Sequence, residues 1–434
     1  MKRGFYTIMT AQFFSSLADN ALFIAAVELL RDHGARAWQH AALVPMFALF
    51  YVLLAPWAGA FADSRRKGQV MFISNAIKML GCLLMLFGGH PLLAYAIVGL
   101  GAAAYSPAKY GILTELLPPS QLVQANGWIE GLTIGSIILG ILLGGKLVGG
   151  WNLMALLSLH GRVHTGIHHA SEAAIVALFF VYVVAAGFNL RIPDTGAVLR
   201  PMPRNPLTLL PDFYRCTVRL WCDKLGQITL ASTTLLWGVS ANLRFIVLAW
   251  AAAALHYEMP QATRLTGVVV LGSAAGAVLA SLRGRLDRAV RVIPLGIVMG
   301  LLLAAMGLID SLPLAIPALI ALGALGGYIM VPMNALLQHR GHNLMGAGSS
   351  IAVQNFNEQA AILGLGALYS FSTRLGLHTL GAVQLLGGLL AAAMAAIGLW
   401  HRYNLRCHGP EVRRLQALAR GEGDGAQAAT SGER

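Results

Sequence analysis

The chain has 434 residues, of which 57% are hydrophobic and 11% charged, and its formal net charge is +13. Soluble domains are about 25% charged, so this composition excludes a soluble globular protein and fits a polytopic membrane protein with room for about twelve spans of ~20 residues. The basic excess is a topology signal and not a nucleic-acid one. With the amino terminus in the cytoplasm, only Arg31, Arg36, Lys146, Arg162, Arg264 and Arg374 fall outside and Lys78, Lys109 and Arg244 within spans.

Apolar runs predict spans at 4–30, 38–62, 69–89, 92–117, 121–147, 172–191, 227–256, 264–283, 290–310, 313–337, 344–372 and 376–401. The first run continues past the length of a signal core and shows no small-residue cleavage site, so it reads as a span. The expected organisation is all-α. A six-helix bundle covers 1–191, a cytoplasmic loop 192–226, a second six-helix bundle 227–401 and a disordered cytoplasmic tail 402–434. Both termini are then cytoplasmic. Cys82, Cys216, Cys222 and Cys407 all miss the outer side, so free thiols are expected.

Span 1 carries Asp19 and Asn20 at membrane depth. The loop after span 2, GAFADSRRKG, places Gly59, Asp63, Arg65, Arg66, Lys67 and Gly68 in close order. Gly59 lets a neighbouring helix approach, and Asp63 can cap the next helix or pair with a basic group, locking one side of the protein shut. The pattern resembles the loop 2–3 signature of the major facilitator superfamily. Lys78 in span 3 reads as a structural side chain snorkelling along its helix.

Span 4 and its exit, GAAAYSPAKYGILTELLPPSQLVQANGWIE, carry Tyr105, Lys109, Glu115, Asn126 and Glu130 between long apolar runs. A lysine in mid-membrane costs roughly 2.5–3.5 kcal/mol on insertion scales unless it faces a partner or water. Here it follows Pro107 and the small residues Gly101 to Ala104, which allow a bend and close helix approach, so the segment is expected to wall a polar cavity. In the outer loop beyond span 5, His160, His164 and His168 recur every four residues with His169 beside the last. On a helix three would share a face as a Zn²⁺ platform, but a polar amphipathic segment is the expected reading, and no metal site is assigned.

The Pro- and Arg-rich stretch 191–226 separates the halves, and Phe213 to Lys224 can form a basic amphipathic helix on the anionic leaflet or a solvated linker. The halves repeat. DNALF from Asp19 aligns with ANLRF from Ala241, and LVQANG from Leu122 with LMGAGS from Leu344, both at an offset of 222 residues, while Pro107 and Pro332 match at 225. Parallel six-span repeats are a plan for alternating access. The second half adds Arg244 in span 7 and Asn355 and Glu358 in span 11, and its SLRGRLDR keeps Asp287 but no acid at the position of Asp63.

Charges of both signs in one cavity suit a zwitterionic or anionic substrate: Lys109 and Arg244 for a phosphate, and Asp19 with Glu130 or Glu358 for an ammonium or a coupling cation. The residues leave Na⁺, H⁺ and no coupling ion equally open. No nucleotide loop of the G-x-x-x-x-G-K-[ST] form and no acyltransferase motif occurs, so no enzyme and no cofactor is expected.

The segments AQFFSSLADNALF, APWAGAFADSRRKG, YSPAKYGILTELLPPSQLVQANGWIE, VPMNALLQHRG and GAGSSIAVQNFNE together resemble the lysophospholipid transporter family of the major facilitator superfamily. The resemblance implies twelve transmembrane helices, with Asp19, Lys109 and Arg244 lining the cavity and Asn20, Tyr105, Glu130, Asn355 and Glu358 near it. It implies a monomer in a bacterial inner membrane that flips lysophospholipids, chiefly lysophosphatidylethanolamine, from the outer to the inner leaflet. Coupling to Na⁺ through Asp19 and re-acylation by a cytoplasmic-side acyltransferase are also implied. A cation-coupled exporter of amphipathic drugs shares the fold and the Asp63 motif but has little need of two buried cations. A non-transporting scaffold needs only a fixed charge network.

Overall fold

The structure, a computed structural model, describes residues 3–149, 169–374 and 377–420. Its helices are α1 (Arg3–Asp32), α2 (Ala37–Leu53), α3 (Ala55–Ser64), α4 (Lys67–Leu86), α5 (Pro91–Leu116), α6 (Pro119–Gly149) and α7 (Ala170–Leu190). There follow α8 (Leu209–Cys222), α9 (Gly226–Ala254), α10 (Met259–Arg283), α11 (Ile293–Met306), α12 (Leu312–Met345), α13 (Ala347–Arg374), α14 (Thr379–Cys407) and α15 (Gly409–Arg420), with 3₁₀ turns at Pro206–Thr208 and Leu286–Val292. No strand occurs among the described residues.

Ten of these helices are long and apolar enough to cross a membrane, and α2 with α3, bent by 64°, makes an eleventh. The remaining expected span, 344–372, is α13. It has 28 residues, ample length, but its run Gln354–Asn355–Phe356–Asn357–Glu358–Gln359 is too polar for that count. A helix of this composition needs protein or water around its polar face, because lipid cannot satisfy it.

The chain divides into two compact units. Unit 1 comprises Met1–Leu116, Leu132–Phe213 and Gly346–Val353, and unit 2 comprises Leu117–Gly131, Tyr214–Met345 and Gln354–Arg434. Helices α6 and α13 therefore each contribute to both. In unit 1 the main packings are α4 on α5, α1 on α7, α4 on α7 and α2 on α5. In unit 2 they are α10 on α12, α11 on α14, α9 on α14 and α9 on α12. Three of these pairings repeat at a six-span interval (first on sixth, third on sixth, second on fourth), which is what the 222-residue offset predicts.

Small residues make the packings close, as expected where lipid supplies no hydrophobic drive between helices. Alanines 18, 21, 25 and 26 of α1 bury against Leu178 and Tyr182 of α7 and Tyr95 and Val98 of α5. In unit 2 a Cβ on Gly276 of α10 would lie 2.0 Å from the Ala324 carbonyl of α12. The glycine clusters of spans 4 and 10 are thus mostly packing surfaces.

The central segment is partly helical: α8 replaces the solvated-linker alternative, and the 3₁₀ turn that precedes it is capped by Asn205, whose Oδ1 accepts from Leu207 N at 3.1 Å. The expectation of a disordered tail over 402–434 is corrected for its first part. α14 runs on to Cys407, and α15 folds over Gly409–Arg420, burying Val412, Leu415 and Ala419. Its Arg420 pairs with Asp287 at 3.2 Å. Residues 421–434 lie outside the described residues, as do His160, His164 and His168. His169 caps α7, its backbone N–H donating to Glu172 at 3.1 Å. No disulfide joins any of the four cysteines.

Candidate functional site

In unit 1 the polar residues of α1, α4, α5 and α7 converge. Asp19 accepts from Lys78 Nζ at 2.7 Å and from the Tyr182 hydroxyl at 2.7 Å, one bond to each carboxylate oxygen. Lys78 also donates to Ser15 Oγ at 3.1 Å, and Ser15 donates to Asn75 Oδ1 at 2.8 Å. The ammonium lies 5.0 Å from the centre of the Tyr105 ring and 5.7 Å from that of Tyr182, within cation–π range. Gly101 makes this possible, since a Cβ there would sit 2.7 Å from Lys78 Cγ and 2.6 Å from the Ser74 carbonyl. Lys78 is 1% exposed and Asp19 19%. A lysine buried so deeply depends on such partners, and removing one of a buried pair typically costs about 3–5 kcal/mol.

The other unit 1 candidates sit around this pair. Tyr105 is buried, and its hydroxyl has no hydrogen-bond partner among the described residues; nor does Asn75 Nδ2 or Gln12 Oε1. Asn20 turns back on its own helix, donating to the Ser16 carbonyl at 2.8 Å. Lys109, one turn beyond Tyr105, is half-buried with its ammonium 4.1 Å from the Tyr110 ring centre. Reading Lys78 as a snorkelling side chain is corrected: it bonds across to α1 and does not reach along its own helix.

The loop motif forms a second centre in unit 1. Asp63 Oδ1 accepts from Gly348 N at 2.7 Å, and Oδ2 accepts from Ser349 N at 2.9 Å and Ser349 Oγ at 2.8 Å. These are the first N–H groups of α13, so the carboxylate caps a helix N-terminus where the dipole favours it. The helix capped is therefore α13 and not the next one, α4. Lys67 is buried, pairing with Asp63 and Glu115 at 3.2 Å each and donating to the Ala62 carbonyl at 2.7 Å. Arg65 and Arg66 are exposed; Arg65 stacks near Phe61, and Arg66 pairs with Asp194 at 2.9 Å. Gly59 admits Ala352 and Ser349 of α13, and Gly68 admits the Asn189 carbonyl. The central segment closes over this centre, Arg200 N donating to the Asp63 carbonyl at 2.9 Å and Thr195 to Glu115 at 2.8 Å.

In unit 2 buried amides pair with one another and with an acid. Asn126 and Gln338 exchange two hydrogen bonds at 3.0 Å each. Gln354 Nε2 donates to Asn334 at 3.0 Å and to Glu358 at 2.7 Å. Glu130 and Glu358 are both buried and within electrostatic reach of each other. Asn355 is half-buried beside them in sequence on α13, and Arg244 on α9 is exposed. Near the α8–α9 corner, Arg340 is buried and grips Asp223 through two bonds, at 3.1 and 2.5 Å.

The structure thus brings Asp19 to Lys78 and Glu358 to Gln354. Tyr182, Asn75 and Glu115 were not singled out by sequence for these roles, and the amides Asn334, Gln338 and Gln354 were passed over. A run of four amides and one acid in α13, out of place in a span, is the signal that could have found the last. Among the described residues no group of three or more His, Cys, Asp or Glu is placed to hold a metal ion.

A sequence profile described as the Major Facilitator Superfamily matches residues 8–365. A protein of Yersinia enterocolitica named "Lysophospholipid transporter LplT" is 38% identical over 377 residues, 87% of this chain and 89% of that protein. One of the same name from Cronobacter sakazakii is 38% identical over 404 residues, covering 92% and 96%. Among solved structures, the human organic anion transporter MFSD10 matches with a TM-score of 0.69 at 15% identity, covering 92% of this chain and all of that one. The transporter FucP in its outward conformation matches at 0.65 and 12%, covering 92% and 98%. At such identities these structures speak for the fold alone, which is that of major facilitator transporters.

Proposed function

The chain belongs to the lysophospholipid transporter family of the major facilitator superfamily, and from that premise we propose that it flips lysophospholipids from the outer to the inner leaflet of a bacterial inner membrane by alternating access. The observation that carries this is 38% identity spread over 87–92% of the chain, through both units, to transporters of that name. Lysophosphatidylethanolamine is the proposed preferred cargo. Its head is zwitterionic, and the chain offers Lys109 and Arg244 for the phosphate and the acids Glu130 and Glu358 for the ammonium. An acyltransferase on the cytoplasmic side is the proposed consumer of the product, and the working unit is a monomer with both termini cytoplasmic.

Asp19 is the proposed Na⁺ residue. Both its oxygens are engaged by Lys78 and Tyr182, so a cation arriving there must displace the ammonium. Such an exchange couples ion binding to the α1–α4 contact. The Asp63 cap on α13 is proposed as the latch that this exchange releases, since three hydrogen bonds break together when α3 and α13 part.

The test is uptake of labelled lysophosphatidylethanolamine into spheroplasts with and without the gene, repeated with Asp19→Asn and with Na⁺ replaced by choline. Gene-dependent uptake that falls in both conditions is expected. Uptake indifferent to Na⁺ removes the ion from the proposal and keeps the lipid, and no gene-dependent uptake removes the lipid.

A further inference from the structure

Helix α8 takes no part in the centres above, yet its fourteen residues divide into three faces. At about 100° per residue, Leu209 and Leu220 fall together, and both are buried, with Phe213 and Cys216 half-buried beside them. Leu210, Tyr214 and Val218, each four residues from the next, make a second face that is exposed, Tyr214 by 70%. Arg215, Arg219 and Asp212 make the third, also exposed. Single apolar side chains at a surface need no explanation, but a contiguous stripe marks a contact.

Trp221 shows what covers that stripe. On the helical wheel it falls between Leu210 and Tyr214, so it belongs to the same face. Its indole lines an apolar groove together with Ala231 and Thr234 of α9 and Trp400 of α14. Ala231 and Thr234 stand five and eight residues beyond Gly226, where α9 begins, so the indole reaches roughly 7–12 Å along a membrane-spanning helix. Trp400 meets the groove from the last span, just before the charged end of α14. Two indoles on different elements at one level mark the head-group boundary, where tryptophan concentrates. Helix α8 therefore lies along the rim of these spans, and its apolar face turns the way Trp221 points, into lipid.

The charged face adjoins the apolar one and is basic. Arg215 and Arg219 outweigh the single acid Asp212, with Arg204 exposed in the approach and Lys224 two residues past the helix. Arginines edging an apolar face lay their stems on hydrocarbon and offer guanidinium groups to phosphates. We infer that α8 is an interfacial helix docked on anionic phospholipid, with Leu210, Tyr214 and Val218 in the acyl region and Arg215 and Arg219 at the phosphates. This surface is independent of which lipid the protein carries.

The experiment uses the full chain with its four cysteines replaced by alanine, reconstituted in phosphatidylethanolamine–phosphatidylglycerol vesicles and spin-labelled at Tyr214→Cys, Val218→Cys or Asp212→Cys. Labels replacing Tyr214 and Val218 should collide with oxygen and be shielded from a water-soluble nickel chelate, and the label replacing Asp212 should do the reverse. Two stripe positions cover the failure of either variant to fold. Exchanging phosphatidylglycerol for phosphatidylcholine should lower the ratio of docked to undocked label about fivefold for each arginine. Arg215→Gln with Arg219→Gln should abolish that lipid dependence and leave the melting temperature in detergent unchanged. Nickel access at both stripe positions means that water covers the stripe, and the inference falls. Shielding from both reagents means that protein, such as a second copy of the chain, covers it, and the inference falls equally. Lipid exposure unmoved by phosphatidylglycerol or by the paired arginine variant overturns the anionic partner.

Discussion

Asp19 of unit 1 is answered by a cation, and Glu358 of unit 2 by an amide. Asp19 shares Lys78 and Tyr182, so charge is balanced and both oxygens are occupied. Glu358 accepts from Gln354 and feels a second acid, Glu130, and among the described residues no cation pairs with it. Both arrangements make an intramembrane charge tolerable, but they differ in what can happen next. An ion pair cannot lose one member without stranding the other in low dielectric. A carboxylate held by an amide can gain a proton or a passing cation and strand nothing. The first suits a coupled exchange, and the second suits direct contact with a substrate ammonium.

The sharpest way to break this comparison is to remove the cation alone. Lys78→Met leaves Asp19 buried without its partner and should lower stability by about 3–5 kcal/mol. Adding Asp19→Asn to make the double variant should recover most of that loss, because a neutral amide beside a thioether strands no charge. Thermal unfolding of the three purified variants in one detergent reads both effects. A double variant no more stable than Lys78→Met would mean the lysine matters as packing volume and the charge balance is incidental.

Apolar runs placed nearly every helix, and the repeat offset foretold that second-on-fourth and third-on-sixth packings recur in both units. Sequence also ranked Asp19 and Asp63 as special, the first because an acid at membrane depth is costly wherever it faces and the second because of its loop motif. It did not pair them. Asp19 lies roughly 24 Å along α1 and Lys78 roughly 17 Å along α4, a mismatch that a lysine side chain spans, but depth says nothing of which face each helix turns inward. The cap from Asp63 to Gly348 crosses 285 residues, so no local pattern could announce it. α13 was legible as a span bearing Asn355 and Glu358, but Gln354 beside them was passed over, since an amide carries no charge to count. The tail failed for the opposite reason: its arginines suggested disorder, while the burial of Val412 and Leu415 that folds it depends on a surface formed by Leu286–Val292.

A smaller effect is expected where amides meet amides. Gln338→Leu removes one side of the reciprocal pair with Asn126 and leaves a fully buried amide with its Leu122 bond alone. The cost of one unsatisfied buried polar group is about 1–3 kcal/mol, below that of the stranded carboxylate. Chemical unfolding should place this variant between wild type and Lys78→Met. A loss as large as that of Lys78→Met would show that the amide network bears as much of the fold as the ion pair.

The smallest structural effect should come from Glu358→Gln, and here function separates from stability. The new side chain keeps a carbonyl to accept from Gln354, so stability should move by less than about 1 kcal/mol, the ordinary worth of a neutral hydrogen bond. Its charge is gone, however, and with it the contact proposed for the substrate's ammonium. Uptake of lysophosphatidylethanolamine should then fall by about tenfold, the equivalent of ~1.4 kcal/mol, while uptake of a lysolipid without a cationic head should change little. A variant that folds and transports both lipids normally would make Glu358 a buried acid of structure only, and the two units would differ in how they hold a charge without differing in what they do with it.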